Sequence, residues 1–185
     1  MTENDIRRIG NLVDQLPNID VCAVPTATDA PPEAVDIHGL RALLESTNKH
    51  IWLQPHTDET LPYLFDLAIS RSGGVENFKK RPNVSFMVTS LTPFKLKQMD
   101  MEVILHAARY QAPVHICSVG TTAGTSPITP LGTIMLCFIE ILGQLAVTQM
   151  IQPGTPVLGL VSTLVMDMQT GIARKGNPDV ARMNA

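Results

Sequence analysis

Short apolar runs recur along the chain at intervals of roughly thirty residues: Val21-Cys22-Ala23-Val24, Ile51-Trp52-Leu53, Val84-Ser85-Phe86-Met87-Val88, Val114-His115-Ile116-Cys117 and Val157-Leu158-Gly159-Leu160-Val161. Each is too short for a helix, rich in β-branched residues and without strict alternation, the pattern of a strand buried on both faces.

Between these runs the apolar positions change to helical spacing. One helix enters through Asp36 as a candidate cap and carries Ile37, Leu40, Leu43 and Leu44 on one stripe. A second follows Thr57-Asp58, buries Leu61, Leu64, Phe65 and Ala68, and stops at Gly73-Gly74, where glycine takes the left-handed conformation without a Cβ clash. A third groups Met101, Ile104, Leu105 and Ala108, and a long apolar fourth runs from Leu131 to Ile151 before Pro153-Gly154 ends it. Asn177-Pro178-Asp179 reads as a cap, a first-turn proline and a first-turn acid that announce one more helix. Strands alternating with helices predict an α/β protein with a parallel sheet and right-handed crossovers, either doubly wound or an eight-stranded barrel. Five βα units are visible, whereas a closed barrel needs eight and about 250 residues. The reading taken is therefore a single domain over residues 1–185, a partial (β/α)8 TIM-type barrel.

Composition narrows the function. With 185 residues and 44% hydrophobic content the chain holds enough apolar material for a packed core. A net charge of −3, with no basic run beyond Lys79-Lys80-Arg81, argues against nucleic acid and anionic lipid. Three widely spaced cysteines, Cys22, Cys117 and Cys137, and a polar start fit a reducing cytoplasm. Leu131–Ile151 is long enough for a membrane span, but Glu140, Gln144 and Gln149 fall inside it; a carboxylate is expensive in lipid, and a buried helix of a larger α/β protein is the expected role.

In parallel α/β folds ligands sit at the carboxyl ends of strands, so the residues just beyond each run rank first as site candidates. The rule selects His56 after the second run, Ser90 after the third, Gly120, Thr121 and Thr122 after the fourth, and Ser162 and Asp167 after the fifth. Gly120-Thr121-Thr122-Ala123-Gly124-Thr125-Ser126-Pro127 is small enough for close backbone approach to a ligand, and equally a tight turn; it lacks the Gly-Lys-Ser/Thr ending of a phosphate loop. Asp167 supplies a negative charge for a cationic ligand, or simply forms a turn, while His56 is an acid–base candidate or a solvated loop histidine. His115, Cys117 and Cys137 offer zinc-ligand chemistry, but strand alternation places only the first two together, and core packing is the expected role, with no metal. Trp52, inside a strand, reads as core rather than as a cation–π face. No residue is singled out as catalytic.

Four further motifs occur in order: Ser72-Gly73-Gly74-Val75-Glu76 with Arg81-Pro82; Gly120 through Thr129; Pro153-Gly154-Thr155-Pro156-Val157; and Asp167-Met168-Gln169-Thr170-Gly171 with Gly176-Asn177-Pro178-Asp179. In these the chain resembles the trimethylamine methyltransferase family. The resemblance implies a central piece of a longer (β/α)8 barrel that moves a methyl group from trimethylamine or a quaternary amine to a corrinoid protein. It also implies that the corrinoid is carried by that partner, that no cofactor is bound directly, and that the chain associates with copies of itself or with the remaining barrel segments. Other expectations stay open: an inactive or partner-dependent fragment, or another small-metabolite barrel enzyme. The latter calls for a Schiff-base lysine after a strand, which Lys49, Lys95, Lys97 and Lys175 do not provide.

Overall fold

The computed structural model describes residues 1–184. Helix α1 (Glu3–Gln15) precedes strand β1 (Val21–Ala23); then come α2 (Val35–Ser46), β2 (His50–Leu53), α3 (Leu61–Arg71), α4 (Val75–Lys80) and β3 (Val84–Thr89). The chain continues through α5 (Gln98–Tyr110), β4 (Val114–Thr122), α6 (Pro130–Ile151), β5 (Val157–Met166), β6 (Ala173–Arg174) and α7 (Pro178–Asn184). The six strands form one curled sheet in the order β1-β2-β3-β4-β5-β6, with β1 to β5 parallel and β6 antiparallel to β5.

The strand order discriminates between the two architectures that alternation allows. A doubly wound sheet reverses its order part-way and so places helices on both faces. Here spatial order follows sequence order throughout, so the crossovers wind one way and the helices cover one, convex, face. The sheet is a half-barrel open at its two edges.

The helix-facing strand residues Ile51, Leu53, Val84, Phe86, Val88, Val114 and Ile116 are almost fully buried against Leu40 and Leu43 of α2, Leu64 and Phe65 of α3, and Val103 and Ile104 of α5. Phe65 stacks on Phe86 with ring centroids 3.9 Å apart. Every residue of the predicted second helix stripe is buried, and its glycine stop is real, Gly73 and Gly74 both having positive φ.

Four expectations need correction. Asp36 does not cap the first predicted helix; it lies in the first turn of α2, fully buried, and its carboxylate takes the His56 amide at 3.1 Å and the Thr60 hydroxyl at 2.8 Å, tying α2 to the loop after β2. Leu105 of α5 is exposed, since it lies one step beyond the stripe that meets the sheet. β5 is not buried on both faces: Leu158 and Leu160 are open because no element among the described residues packs over them. α6 is not a fully buried helix either. It buries one face and exposes Leu131, Met135, Phe138, Ile139, Leu142 and Met150 on the other. Among the described residues it is the one helix long and apolar enough to cross a membrane by length and composition. Helices α1 and α4 and the β5–β6 hairpin complete the fold beyond the predicted elements.

α1 is clamped to α2 by charge. Glu3 accepts from His38, from Arg41 at 2.9 Å and from Arg7 at 3.2 Å, while Arg7 also reaches Glu45 at 2.7 Å. The His38 bond, helped by the two arginines, holds the Glu3 carboxyl down at about 2 against the opposing effect of desolvation. A carboxyl with a depressed folded pKa stabilises fully above its unfolded value of 4.5 and loses that contribution as pH falls toward 2. Amide exchange in α1 should therefore accelerate through this window. In Glu3→Gln the acid dependence should weaken to the part carried by Asp5 and Asp14, and an unchanged acid profile in that variant would show that Glu3 does not clamp the helix.

Candidate functional site

Pairing register decides which way each candidate side chain faces. Val119 pairs with Ser162, Gly120 with Thr163, Thr121 with Leu164 and Thr122 with Val165, and alternation sends odd and even members of β4 to opposite faces. The helix-facing set is fixed by contact: Ser118 reaches Glu140 of α6, Thr122 Oγ1 lies 3.0 Å from Thr133 Oγ1, and Thr163 bonds Asn184 of α7. The concave set is consequently His115, Cys117, Val119 and Thr121 of β4 with Leu158, Leu160, Ser162, Leu164 and Met166 of β5.

The predicted rim residues therefore divide. Thr121 and Ser162 share the concave face on adjacent strands. Gly120 and Thr122 turn to α6; a Cβ at Gly120 would stand 2.7 Å from Cys137 Sγ, so glycine here lets helix and strand touch. Ser90 is also on the helix side. His56 is exposed in the loop after β2, its backbone amide bound to Asp36. The Gly120–Pro127 loop is a compact turn in which the amides of Gly124, Thr125 and Ser126 all donate to the Thr121 carbonyl.

Asp167 follows β5 and organises the turn into β6. It accepts the amides of Gln169 at 3.0 Å and Thr170 at 3.3 Å and pairs with Arg174. The Gln169 and Thr170 amides, with Arg174, hold its carboxyl below the usual aspartate range. A negative charge is thus present at the rim, already shared with a guanidinium.

His115 and Cys117 face the concavity while Cys137 lies on α6 across the sheet, so the three side chains do not converge on one point. Burial pushes the Cys117 thiol up to about 11, keeping it protonated and unsuited to ligation or attack. Burial, followed by His50, lowers the His115 pKa. Its ring lies 5.4 Å from Trp52, whose buried Nε1 has no hydrogen-bond partner. Trp52 thus presents an aromatic surface on the concave side, a placement that its sequence neighbourhood did not show.

The residue that sequence reasoning missed is Glu140. It is 6% exposed and sits midway along α6, where its position had served only as an argument against a membrane span. Its Oε2 accepts the hydroxyls of Ser118 at 2.5 Å, Ser90 at 2.6 Å and Thr92 at 2.9 Å, and Oε1 accepts the Phe94 amide at 2.7 Å. Burial alone would raise its pKa, but the donors of Ser118, Ser90, Phe94 and Thr92 outweigh that effect and leave it below the ordinary glutamate range. The signal available in the sequence was the stripe Thr133, Cys137, Glu140, Gln144 and Thr148, polar or weakly polar at helical spacing, which marks the face that α6 buries. A second missed carboxylate, Asp100 in the first turn of α5, is 4% exposed; burial raises its pKa, opposed by Lys97 Nζ at 3.3 Å from Oδ2, an ion pair without hydrogen-bond geometry.

A mostly parallel half-barrel sheet with its helices on the convex face, its long strands β4 and β5 leading into hydroxyl-bearing and acidic residues, defines an α/β protein. Residues 1–185 match the trimethylamine methyltransferase (MTTB) family, and the chain belongs to that family. It is 29% identical over its whole length to a trimethylamine methyltransferase of Desulfitobacterium hafniense. It is 31% identical over 99% of its length to the Methanosarcina acetivorans trimethylamine methyltransferase. A glycine betaine methyltransferase of Desulfitobacterium hafniense is 29% identical over 63% of the chain, a stretch making up 24% of that relative. The chain spans 37% of the first of these relatives and 38% of the second.

Replacing Glu140 by Leu would strand three hydroxyls and one amide in the helix–sheet layer and should lower stability by about 2–4 kcal/mol. Glu140→Gln keeps an acceptor oxygen and should lose less. Urea denaturation measures both, and a Leu variant as stable as the parent would show that the carboxylate holds nothing.

Proposed function

We propose that this chain forms the central part of a (β/α)8 TIM-type barrel that transfers a methyl group from trimethylamine or a related quaternary amine to a corrinoid protein. The family match over residues 1–185 is the observation that carries this reading. The corrinoid travels on the partner, and the chain supplies a surface that orients the amine. In that role Thr121 and Ser162 line the floor beside Leu160, Leu164 and Met166, an apolar wall against which methyl groups pack without competing donors. Asp167 gives the negative potential that favours an ammonium. The reaction breaks a carbon–nitrogen bond: the methyl carbon passes to the partner's reduced cobalt and the amine leaves with the bonding pair. The work of these residues is to present one methyl outward. The reducing cytoplasm suits the three free cysteines.

The assay follows the corrinoid spectrum with trimethylamine, glycine betaine and carnitine, using this chain together with the polypeptide that supplies the rest of the relatives' length. Methylation of cobalt with one of the three is expected, and none with any of them would defeat the proposal. Asp167→Asn should reduce kcat/KM by about tenfold, and Arg174→Ala, which frees the carboxylate, should raise it. If both variants match the parent, the transferase reading stands and Asp167 has no part in capture.

The open sheet edges and the uncovered outer face of α6 also support association, with copies of the chain or with the remaining barrel segments. Light scattering on the isolated chain should show oligomers that vanish when the flanking polypeptide is supplied. A monodisperse monomer would count against this part of the reading.

A further inference from the structure

We propose that the amino-end face of the half-barrel, opposite the rim, carries a binding site for a small organic phosphate. Here the first residue of β2, the turn before β3 and the carboxyl ends of α2, α3 and α4 enclose a cleft of about 560 Å³. Its lining includes Lys49, Arg71, Lys80 and Arg81 and, among the described residues, no aspartate or glutamate. Four of the fourteen cationic side chains of a chain with net charge −3 thus converge on one concavity.

Three helix carboxyl ends meet at this place, and their partial negative charge accounts for some of these cations. Arg71 donates to the Leu44 carbonyl at 2.9 Å and to Asn48 Oδ1 at 3.0 Å, and Lys49 reaches the Leu16 carbonyl at 3.3 Å. That capping does not extend to Lys80 and Arg81, which make no ion pair and no side-chain hydrogen bond among the described residues. Asp14, outside the lining, accepts from Thr47 Oγ1 at 3.0 Å and the Asn48 amide at 2.7 Å and offsets part of the Lys49 charge, leaving Lys80, Arg81 and Arg71 as the cations that face the cleft. The cleft is therefore left with a positive field and an anchored guanidinium whose remaining N–H groups suit a tetrahedral oxyanion.

Size narrows the ligand, since Asn83 in the lining is already tied through Nδ2 to the Ala68 carbonyl at 3.3 Å. The cleft volume lies within the range of about 300–1,000 Å³ usual for small-molecule sites and exceeds what a bare phosphate fills. The cations and the volume together point to a phosphate ester rather than free phosphate.

The test titrates the isotopically labelled chain, assembled with its flanking polypeptide, with inorganic phosphate and with glycerol 3-phosphate, against sodium chloride at matched ionic strength. Saturable shifts of the Asn48, Ser72 and Asn83 amides are expected with the two phosphates, tighter with the ester. The double variant Lys80→Glu/Arg81→Glu should weaken binding by about tenfold or more, since two charge-assisted contacts are lost. Both side chains are exposed, so the fold should be kept, and an unchanged circular dichroism spectrum checks it; Arg81→Gln alone serves if the double variant misfolds. Shifts that chloride reproduces, no saturation with either phosphate, or undiminished binding by a folded variant would overturn the proposal.

Discussion

Glu140 enters the helix–sheet layer of α6 as the only charged side chain between Pro130 and Ile151 and is met there by donors from two separate segments: Ser90, Thr92 and the Phe94 amide in the loop beyond β3, and Ser118 of β4. A buried carboxylate without partners would cost several kcal/mol, on the order of what stabilises a whole domain. With them it fixes the height of α6 on β4 and pulls the loop after β3 onto the helix. Phe94 sits at a positive φ of 58°, a conformation unfavourable for a side chain with a Cβ, and its amide bond to Glu140 offsets part of that strain. Gly120 and Thr122 then meet Cys137 and Thr133 farther along the same helix, and the orientation of β4, hence of Thr121 on its other face, follows.

This arrangement reverses the usual distribution of polarity on a surface helix. α6 turns Thr133, Glu140, Gln144 and Thr148 inward, and Leu131, Met135, Phe138, Ile139, Leu142 and Met150 outward. The inward polar groups are mostly satisfied. Thr133 Oγ1 lies within 3.0 Å of Thr122, Ser126 and the Pro127 carbonyl, and the Thr148 hydroxyl donates to the Gln144 carbonyl. The Gln144 amide is the exception, with neither of its polar atoms paired. A surface helix whose outer face is its more apolar one is built to be covered, consistent with a chain that spans 37% to 38% of its trimethylamine methyltransferase relatives.

Much of the fold was legible in the sequence, because β2, β3 and β4 form short apolar runs whose helix-facing residues are buried and the helix stripe at Leu61, Leu64, Phe65 and Ala68 carries an unambiguous period. What could not be read has specific causes. β6 is two residues long and held by the Asp167 turn, below the length at which a pattern exists. α1 is strongly polar outside Ile6 and its partly buried neighbours, and its attachment depends on charges brought from α2. At the candidate site, the ends-of-strands rule selected positions along the chain but could not assign faces, which depend on register. Thr121 and Ser162 were therefore grouped with Gly120, Thr122 and Ser90, which point the other way. Glu140 was hidden because its donors come from residues 22 to 50 positions away, a separation that no local motif spans.

The claim on which this account most depends is that Glu140 is ionised inside the layer and held so by its donors. Carbon-13 detection of the Glu140 side-chain carboxyl across an acid titration measures it directly. The account predicts a midpoint below the ordinary glutamate value of 4.5, moving upward in a Ser118→Ala/Ser90→Ala variant as burial prevails. A midpoint at or above 4.5 in the parent chain, or one indifferent to loss of the two serines, would contradict it.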